Sequence, residues 1–149
     1  MPIGEICNRE IIIVQRDTTV HEAARLMRQH HVGTLVVVEE VSGKRKPAGL
    51  VTDRDLVVEV LATQLDAAAI TVGDIMLPEL VTIPESSGVF EAIQFMRTKA
   101  VRRLPVVDGQ DALIGIVALD DLLALLAEEL SELSALVSRE QDKELHGRR

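Results

Sequence analysis

Two short stretches of the chain place polar and charged side chains directly after an apolar, β-branched run. Residues 49–55 read Gly-Leu-Val-Thr-Asp-Arg-Asp, and residues 115–121 read Gly-Ile-Val-Ala-Leu-Asp-Asp. Leucines typical of a helix follow the last aspartate of each stretch. A strand that leads into a helix in this way places these side chains beside free backbone N–H groups, a geometry suited to a sugar and its phosphate. The two copies predict two binding sites.

The other chemically active residue types form no catalytic or metal-binding arrangement. The histidines lack the spacing of metal ligands: His21, His30, His31 and His146. Residues 30 and 31 lie at a predicted helix end, where a cation interacts with the helix dipole. Ser86 and Ser87 lie at a predicted helix start, where serine caps the backbone. The sequence contains no Gly-x-Ser-x-Gly elbow, Walker loop or dinucleotide fingerprint, so we expect no enzyme activity and no metal site.

Composition and charge exclude several classes of function. A formal net charge of −8 argues against a general affinity for nucleic acid or an anionic membrane, because both require a basic surface. No apolar run approaches the ~18 residues of a membrane span, and the N-terminus lacks the pattern of a signal peptide. Cys7 is the single cysteine, so no intramolecular disulfide is expected and a reducing, cytoplasmic location is predicted.

The chain is an internal duplication. A shift of 69 residues aligns Gly4 with Gly73, and nine of the nineteen positions from 20 to 38 are then identical to their counterparts. A contraction of three residues after Glu39 changes the shift to 66 and brings the two glycine-led stretches into register. Each repeat is predicted as strand, helix, strand, strand, helix. Because each sheet would leave one face open, the repeats are expected to pack as a pseudo-twofold pair.

Hydrophobic periodicity and turn residues predict the individual elements. The predicted strands cover residues 11–14, 34–38, 48–52, 80–83, 104–107 and 112–117. The predicted helices begin at Asp17 or Thr18, at Asp53, near Val89 and after the second stretch. A polar turn is predicted over residues 42–47, a linker over 64–70 and a hairpin turn at 108–109. The first helix is predicted to have an apolar face made of Val20, Ala23, Ala24, Met27 and His31. The helix that begins at Asp53 carries Leu56, Val57, Val60 and Leu61.

The final helix is predicted to extend beyond the second repeat. Its apolar residues recur at intervals of three and four: Leu119, Leu122, Leu126, Leu130, Leu133 and Val137. This stripe packs either on its own domain or against a partner helix or second copy. We assign residues 1–66 to the first repeat, 67–128 to the second, and 129–149 to a helical extension and tail. The predicted fold class is α/β (α+β).

A tandem duplication whose halves end in Gly-h-h-Thr/Ser-x-x-Asp, where h is apolar, resembles a pair of cystathionine β-synthase (CBS) domains, known as a Bateman module. The resemblance covers residues 4–128. It rests on the two glycine-led stretches, on Arg-Leu-Pro-Val-Val-Asp at 103–108 and on Gly-Asp-Ile-Met at 73–76. It implies two β-α-β-β-α units joined through their sheets, with a cleft on each side. Such clefts bind AMP, ATP or NAD, with S-adenosylmethionine as a further candidate.

The resemblance also implies roles for residues of the two stretches. Asp55 and Asp121 would accept hydrogen bonds from ribose hydroxyls, and Thr52 would hold a phosphate oxygen. Ala118 is the counterpart of Thr52, so the second cleft lacks this hydroxyl. The adenine would lie against apolar residues: Ile13, Val14, Thr82 and Ile83.

The cations of the two predicted sites come from different elements. In the first stretch Arg54 lies near the expected phosphate, and the neighbouring strand carries Gly33 and Thr34. In the second, Asp120 replaces Arg54 and the strand carries two arginines, Arg102 and Arg103. The alternative interpretation is structural: the aspartates stabilise helix starts by about 0.3–1 kcal/mol, the threonine caps a helix and the arginine pair is solvated.

These features predict a non-catalytic, homodimeric adenine-nucleotide sensor that signals to an unidentified effector protein in trans. Ligand binding would shift the population between two arrangements of the chain. The alternative is an interaction or dimerisation module that has vestigial clefts and binds its partner through the leucine stripe. The missing hydroxyl at Ala118 supports this hypothesis. Of the two stretches, residues 49–55 are predicted to form the better-equipped site.

Overall fold

The structure, a computed structural model, describes residues 1–77 and 79–147. Each repeat contributes a three-stranded sheet. In the first, β1 (Ile13–Val14) runs parallel to β2 (Thr34–Val41), which pairs antiparallel with β3 (Lys44–Thr52). The second sheet has the same order and strand directions: β4 (Ile83–Pro84), β5 (Arg103–Val107) and β6 (Leu113–Ala118). Even the irregularity in each sheet is equivalent, after Val37 in β2 and after Val106 in β5.

The helices complete the two predicted β-α-β-β-α repeats. They are α1 (Ile3–Ile6), α2 (Val20–His30), α3 (Asp53–Asp55), α4 (Val72–Ile75), α5 (Val89–Lys99) and α6 (Leu119–Gly147). After one turn, α3 continues as a π-helix, Leu56–Leu61. The predicted fold class is confirmed, including the extended C-terminal helix.

The helix α2 buries fewer residues than its sequence pattern predicts. Val20, Ala23 and Met27 are buried, as expected. Ala24 and His31 are exposed instead. His31 ends the helix in the left-handed conformation, with φ of 53°, so its side chain no longer follows the helical periodicity.

The hairpin between β2 and β3 is tighter than predicted. The turn consists of Ser42 and Gly43, whose φ values of 54° and 75° are both positive, as in the two-residue turns that match strand twist. The rest of the predicted polar turn, Lys44 to Pro47, belongs to β3. Because β3 is an edge strand, its cations are tolerated, and Pro47 pairs with Val38 where β3 has one extra residue, Ala48.

The π-helix changes which apolar residues are buried. Val60 is 3% exposed, whereas Val57 and Leu61 are 53% and 71% exposed. A π-helical turn contains more residues than an α-helical turn, so the predicted 3.6-residue periodicity does not hold across this segment. Val57 and Leu61 therefore lie on the exposed side of this segment.

The short helix that begins each repeat, α1 or α4, packs in the core of the other repeat. Ile3 of α1 is fully buried in the core of the second repeat, and Val72 of α4 is fully buried in the core of the first. Equivalent backbone hydrogen bonds hold both segments: the Gly4 N–H donates to the Glu85 carbonyl and the Gly73 N–H to the Arg16 carbonyl, each at 2.9 Å. Neither core is therefore built from one continuous repeat.

The helix α6 divides into a packed and an exposed part. Leu122 is 1% exposed and joins the core of the second repeat, against which Leu119 also packs. Farther along, Leu130, Leu133 and Val137 are 66%, 59% and 54% exposed. Packing on its own domain thus explains only the start of the predicted stripe. None of the described helices combines the length and apolar character needed to cross a bilayer.

Candidate functional site

The first stretch forms a reciprocal cap where β3 meets α3. The Asp55 N–H donates to Thr52 Oγ1 at 3.2 Å, and the Thr52 N–H donates to Asp55 Oδ2 at 2.8 Å. These two bonds satisfy donors that a helix start leaves free. The Asp53 N–H donates to the Gly33 carbonyl at 2.9 Å, which fixes the start of α3 against the start of β2.

The second stretch has the same backbone arrangement but only half of the cap. The Ala118 N–H donates to Asp121 Oδ2 at 2.9 Å, while Ala118 has no hydroxyl to accept a bond in return. The Leu119 N–H donates to the Arg102 carbonyl at 2.8 Å, the counterpart of the bond between Asp53 and Gly33. In both stretches the cap uses Oδ2 of the aspartate, so Oδ1 is available for another donor.

Glycine begins each stretch because a segment of the other repeat packs against it. A Cβ atom on Gly115 would lie 2.7 Å from the Asn8 carbonyl oxygen and 2.8 Å from Cys7 Sγ. A Cβ atom on Gly49 would lie 3.0 Å from Met76 Sδ. Next to Gly115, Asn8 and Ile116 exchange two backbone hydrogen bonds of 2.9 Å. These contacts bring the N-terminal segment across β6, next to the second stretch.

A cleft of about 260 Å³ lies at this junction of the repeats. Its walls include four of the predicted site residues, namely Arg103, Ala118, Asp120 and Asp121. Gly33 and Thr34, predicted beside Arg54, also line this cleft and therefore face the second stretch. The first repeat supplies further lining residues, which sequence reasoning did not identify: Asn8, Glu10, Ile11, Ile12, Val32 and Val36.

The remaining predicted site residues lie elsewhere. Of the described residues that line this cleft, none belongs to the first stretch. Thr52 pairs with Thr34 at the end of β3, and both Arg54 and Arg102 are exposed. Of the predicted adenine-contacting residues, Val14 is buried in the core of the first repeat and Ile13 is half-buried, whereas their neighbours Ile11 and Ile12 line the cleft. Thr82 and Ile83 line a separate cavity of about 260 Å³.

The lining of the cleft is acidic. Three carboxylates, from Glu10, Asp120 and Asp121, accompany one guanidinium group, from Arg103. Asp120 and Asp121 both lie in the first turn of α6 and are exposed. Thr34 contributes a buried hydroxyl oxygen that has no hydrogen-bond partner within the chain. An unpaired buried hydroxyl is costly, and a ligand can supply the missing partner.

No second type of chemistry is evident among the described residues. Within residues 1–77 and 79–147, no group of three or more His, Cys, Asp or Glu side chains is placed to hold a metal ion. The Cys7 thiol is half-buried against Gly115, and desolvation by this burial raises its pKa. Its protonated form is thereby favoured, which is typical of a packing cysteine.

Comparisons with known proteins identify the family. The CBS domain family matches residues 3–62 and 72–128. The chain is 39% identical over 136 residues to the CBS domain-containing protein YhcV of Bacillus subtilis, a match that covers 91% of this chain and 93% of YhcV. It is 38% identical over 121 residues to an uncharacterized protein of Methanopyrus kandleri, covering 81% of this chain and 60% of that relative.

A solved structure has the same fold. The CBS domain pair of protein MJ0100, in complex with 5′-methylthioadenosine and S-adenosyl-L-methionine, aligns with a TM-score of 0.71 and 25% identity. The alignment covers 85% of this chain and 99% of that one. With both repeats matched in sequence and the whole pair matched in structure, the chain belongs to the CBS domain family.

Proposed function

We propose that the chain is a non-catalytic regulatory module that binds an adenosine-containing ligand between its two repeats. The observation that carries the proposal is Asp121, whose carboxylate lies at a strand-to-helix junction within a cleft lined by both repeats. Its Oδ2 atom holds the backbone in place, and its Oδ1 atom is available to accept from a ribose hydroxyl. The similarity to the MJ0100 pair, which was solved with two adenosine derivatives, supports the same class of ligand here.

From the internal repeat we infer a second cleft at the first stretch. Applying the shifts of 69 and 66 residues to the cleft lining replaces Ile11 and Ile12 by Leu80 and Val81, and Gly33 and Thr34 by Arg102 and Arg103. It likewise replaces Ala118, Asp120 and Asp121 by Thr52, Arg54 and Asp55. In this cleft Asp55 binds the ribose, and Thr52, Arg54 and Arg102 hold phosphate. The adenine of each site lies against aliphatic side chains, those of Ile11 and Ile12 in the observed cleft and those of Leu80 and Val81 at the first stretch.

Regulation follows from the exchange of cores between the repeats. Because α1 packs in the second repeat and α4 in the first, a ligand held between them stabilises one relative arrangement of both. A difference in ligand affinity between two arrangements of ~1.4 kcal/mol shifts their ratio tenfold. We place the boundaries of the repeats at 1–66 and 67–128, and the module in the cytoplasm, where an effector protein reads the bound state in trans.

A thermal-shift screen tests the binding proposal. The full chain is melted with AMP, ATP, NAD, 5′-methylthioadenosine and S-adenosylmethionine, and a ligand at one hundred times its Kd should add about 2.7 kcal/mol of stability. Asp121→Asn and Asp55→Asn should each reduce the shift, whereas Asp142→Asn, on the exposed part of α6, should not. If a folded sample shows no shift with any of the five compounds, the binding proposal is wrong. Turnover of any of them would contradict the non-catalytic assignment.

A second candidate function is self-association through α6. The observation that favours it is the exposure of Leu130, Leu133 and Val137, which continue a spacing of three and four residues from Leu123 and Leu126. Two such helices can bury these faces against each other, because this spacing places apolar residues along one seam. We propose a second copy of the chain as the occupant, which gives a homodimer.

Light scattering tests this dimer. Leu130→Glu with Leu133→Glu should convert a dimeric mass to a monomeric one, whereas Ser131→Glu, exposed on the same helix, should leave the mass unchanged. A wild-type mass of one chain, or an unchanged mass in the double variant, would reject this interface.

A further inference from the structure

We propose that the cleft at the second stretch rejects phosphate and selects an adenosine derivative that carries a positive charge on its 5′ side, such as a sulfonium. This inference rests on the proposed function and names the ligand class for one of its two clefts. The first reason is the charge of the cleft, whose lining includes three carboxylates and one guanidinium group. A phosphate brought into such a cleft meets like charges, whereas a cationic group meets opposite ones.

The second reason is the loss of both phosphate-holding side chains from this stretch. Ala118 takes the place of Thr52, and Asp120 takes the place of Arg54. The start of α6 does not compensate. Both helix starts carry two aspartates, one of which caps the strand end, but Arg54 lies between those of α3, whereas the first turn of α6 has no cation. A helix start attracts anions through its free N–H groups and dipole, and these carboxylates oppose a second anion there.

The third reason is that the polar groups present match the tail of an amino-acid sulfonium. Among the described residues that line the cleft, Arg103 supplies the positive charge, and its guanidinium group can pair with a carboxylate of the ligand. Glu10 and Asp120 can pair with an ammonium or sulfonium group. Thr34 Oγ1, buried and without a partner, can accept or donate one further hydrogen bond once its side chain turns toward the ligand. The cleft at the first stretch has the opposite character by the internal repeat, because it gains Arg54, Arg102 and a threonine hydroxyl.

Titration calorimetry on the full chain tests the selectivity. Asp55→Asn is used as the background, so that the first stretch contributes little to the measured binding. The ligands are S-adenosylmethionine, 5′-methylthioadenosine and AMP, which differ in the charge of the 5′ group. We expect S-adenosylmethionine to bind at least tenfold more tightly than AMP, with 5′-methylthioadenosine between them. Its affinity should fall as salt is added, since the attraction is between charges.

Two variants locate the effect. Asp120→Asn should weaken S-adenosylmethionine about tenfold and leave 5′-methylthioadenosine within twofold. Ala118→Thr with Asp120→Arg copies the first stretch and should invert the preference, so that AMP binds more tightly than S-adenosylmethionine. Circular dichroism melts of each variant confirm that the fold is retained before titration.

The outcomes separate this inference from the proposed function. If the three compounds bind equally well and Asp120→Asn changes none of them, the charge selectivity is wrong while adenosine binding stands. AMP binding more tightly than S-adenosylmethionine in the Asp55→Asn background would also overturn the selectivity. If none of the three binds in this background, and none binds the wild-type chain, both the selectivity and the proposed function fail.

Discussion

The two strand-to-helix junctions share a backbone and differ in side chains. At both, an N–H at the helix start donates to a carbonyl at the start of the neighbouring strand, at 2.9 Å for Asp53 and 2.8 Å for Leu119. At both, the last aspartate of the stretch caps the strand end through Oδ2. The residues between, Thr52 and Arg54 against Ala118 and Asp120, have diverged. The fold thus fixes the junction, and the side chains that vary are those to which we assign the choice of ligand.

The glycines that begin the stretches differ in what they must avoid. Gly115 approaches a backbone carbonyl oxygen, that of Asn8, whereas Gly49 approaches the flexible side chain of Met76. A thioether can rotate away from an added methyl group, but a carbonyl held by the bridge between Asn8 and Ile116 cannot move without breaking two hydrogen bonds. The contact across the second stretch is therefore the more rigid of the two.

The largest effect is expected from substituting these glycines. Gly115→Ala should destabilise the chain by about 3 kcal/mol, and Gly49→Ala by about 1 kcal/mol, within the range known for overpacking. Gly109→Ala is the control, because an added Cβ there meets nothing within 4 Å. Urea unfolding measures all three. Equal losses for Gly115→Ala and Gly49→Ala would show that the two contacts do not differ in rigidity.

Much of this architecture can be predicted because it depends on patterns among residues that are close in sequence. The β-branched runs of β2 and β6 and the duplication itself give the strand order within each repeat and the positions of the two stretches. The exchange of α1 and α4 between cores was not predictable, since a contact between Ile3 and a core some eighty residues away leaves no periodic signal near Ile3. The role of the glycines was missed for the same reason.

The candidate site was predicted in part. The aspartates follow from their place after a strand, and Asp121 indeed lies in a cleft. The partners of each stretch depend on how the repeats pack, which the sequence does not specify locally. The pattern within one repeat therefore predicts Thr34 beside Arg54, whereas Thr34 and Asp120 line the same cleft in the structure. One signal could have identified Glu10 and Ile11. The shift of 69 residues aligns them with Glu79 and Leu80, which precede β4, and α1 and α4 each pack in the other repeat.

An intermediate effect is expected from exchanging the caps. Thr52→Ala removes the hydroxyl that accepts from the Asp55 N–H and should cost about 1 kcal/mol, as N-cap truncations do. Ala118→Thr supplies the missing half of the second cap and should stabilise the chain by a few tenths of a kcal/mol. Urea midpoints of the two variants against the wild type measure both changes. Similar stabilities for Thr52→Ala and the wild type would mean that water replaces the hydroxyl without loss.

The smallest effect concerns the two hairpin turns, which are held in different ways. The first relies on backbone torsions at Ser42 and Gly43. The second relies on Asp108, whose Oδ1 accepts from the Gln110 N–H at 2.8 Å and the Ala112 N–H at 3.0 Å. These backbone bonds lower the pKa of Asp108 below its ordinary value of 3.8.

A lowered carboxyl pKa makes the second turn acid-sensitive. Its contribution to stability is present above the unfolded-state pKa and is lost as the pH falls through the folded-state pKa, because the charged form is the better acceptor. In an NMR titration, the Gln110 and Ala112 amide protons should shift together, with a midpoint below 3.8. Asp108→Ala should abolish this shared titration, whereas Asp111→Ala should retain it. The amides of Ser42 and Gly43, in a turn without a carboxylate acceptor of this kind, should not follow the same curve. A midpoint at or above 3.8 for the Ala112 amide would contradict the stabilisation of the turn by hydrogen bonds to the Asp108 carboxylate.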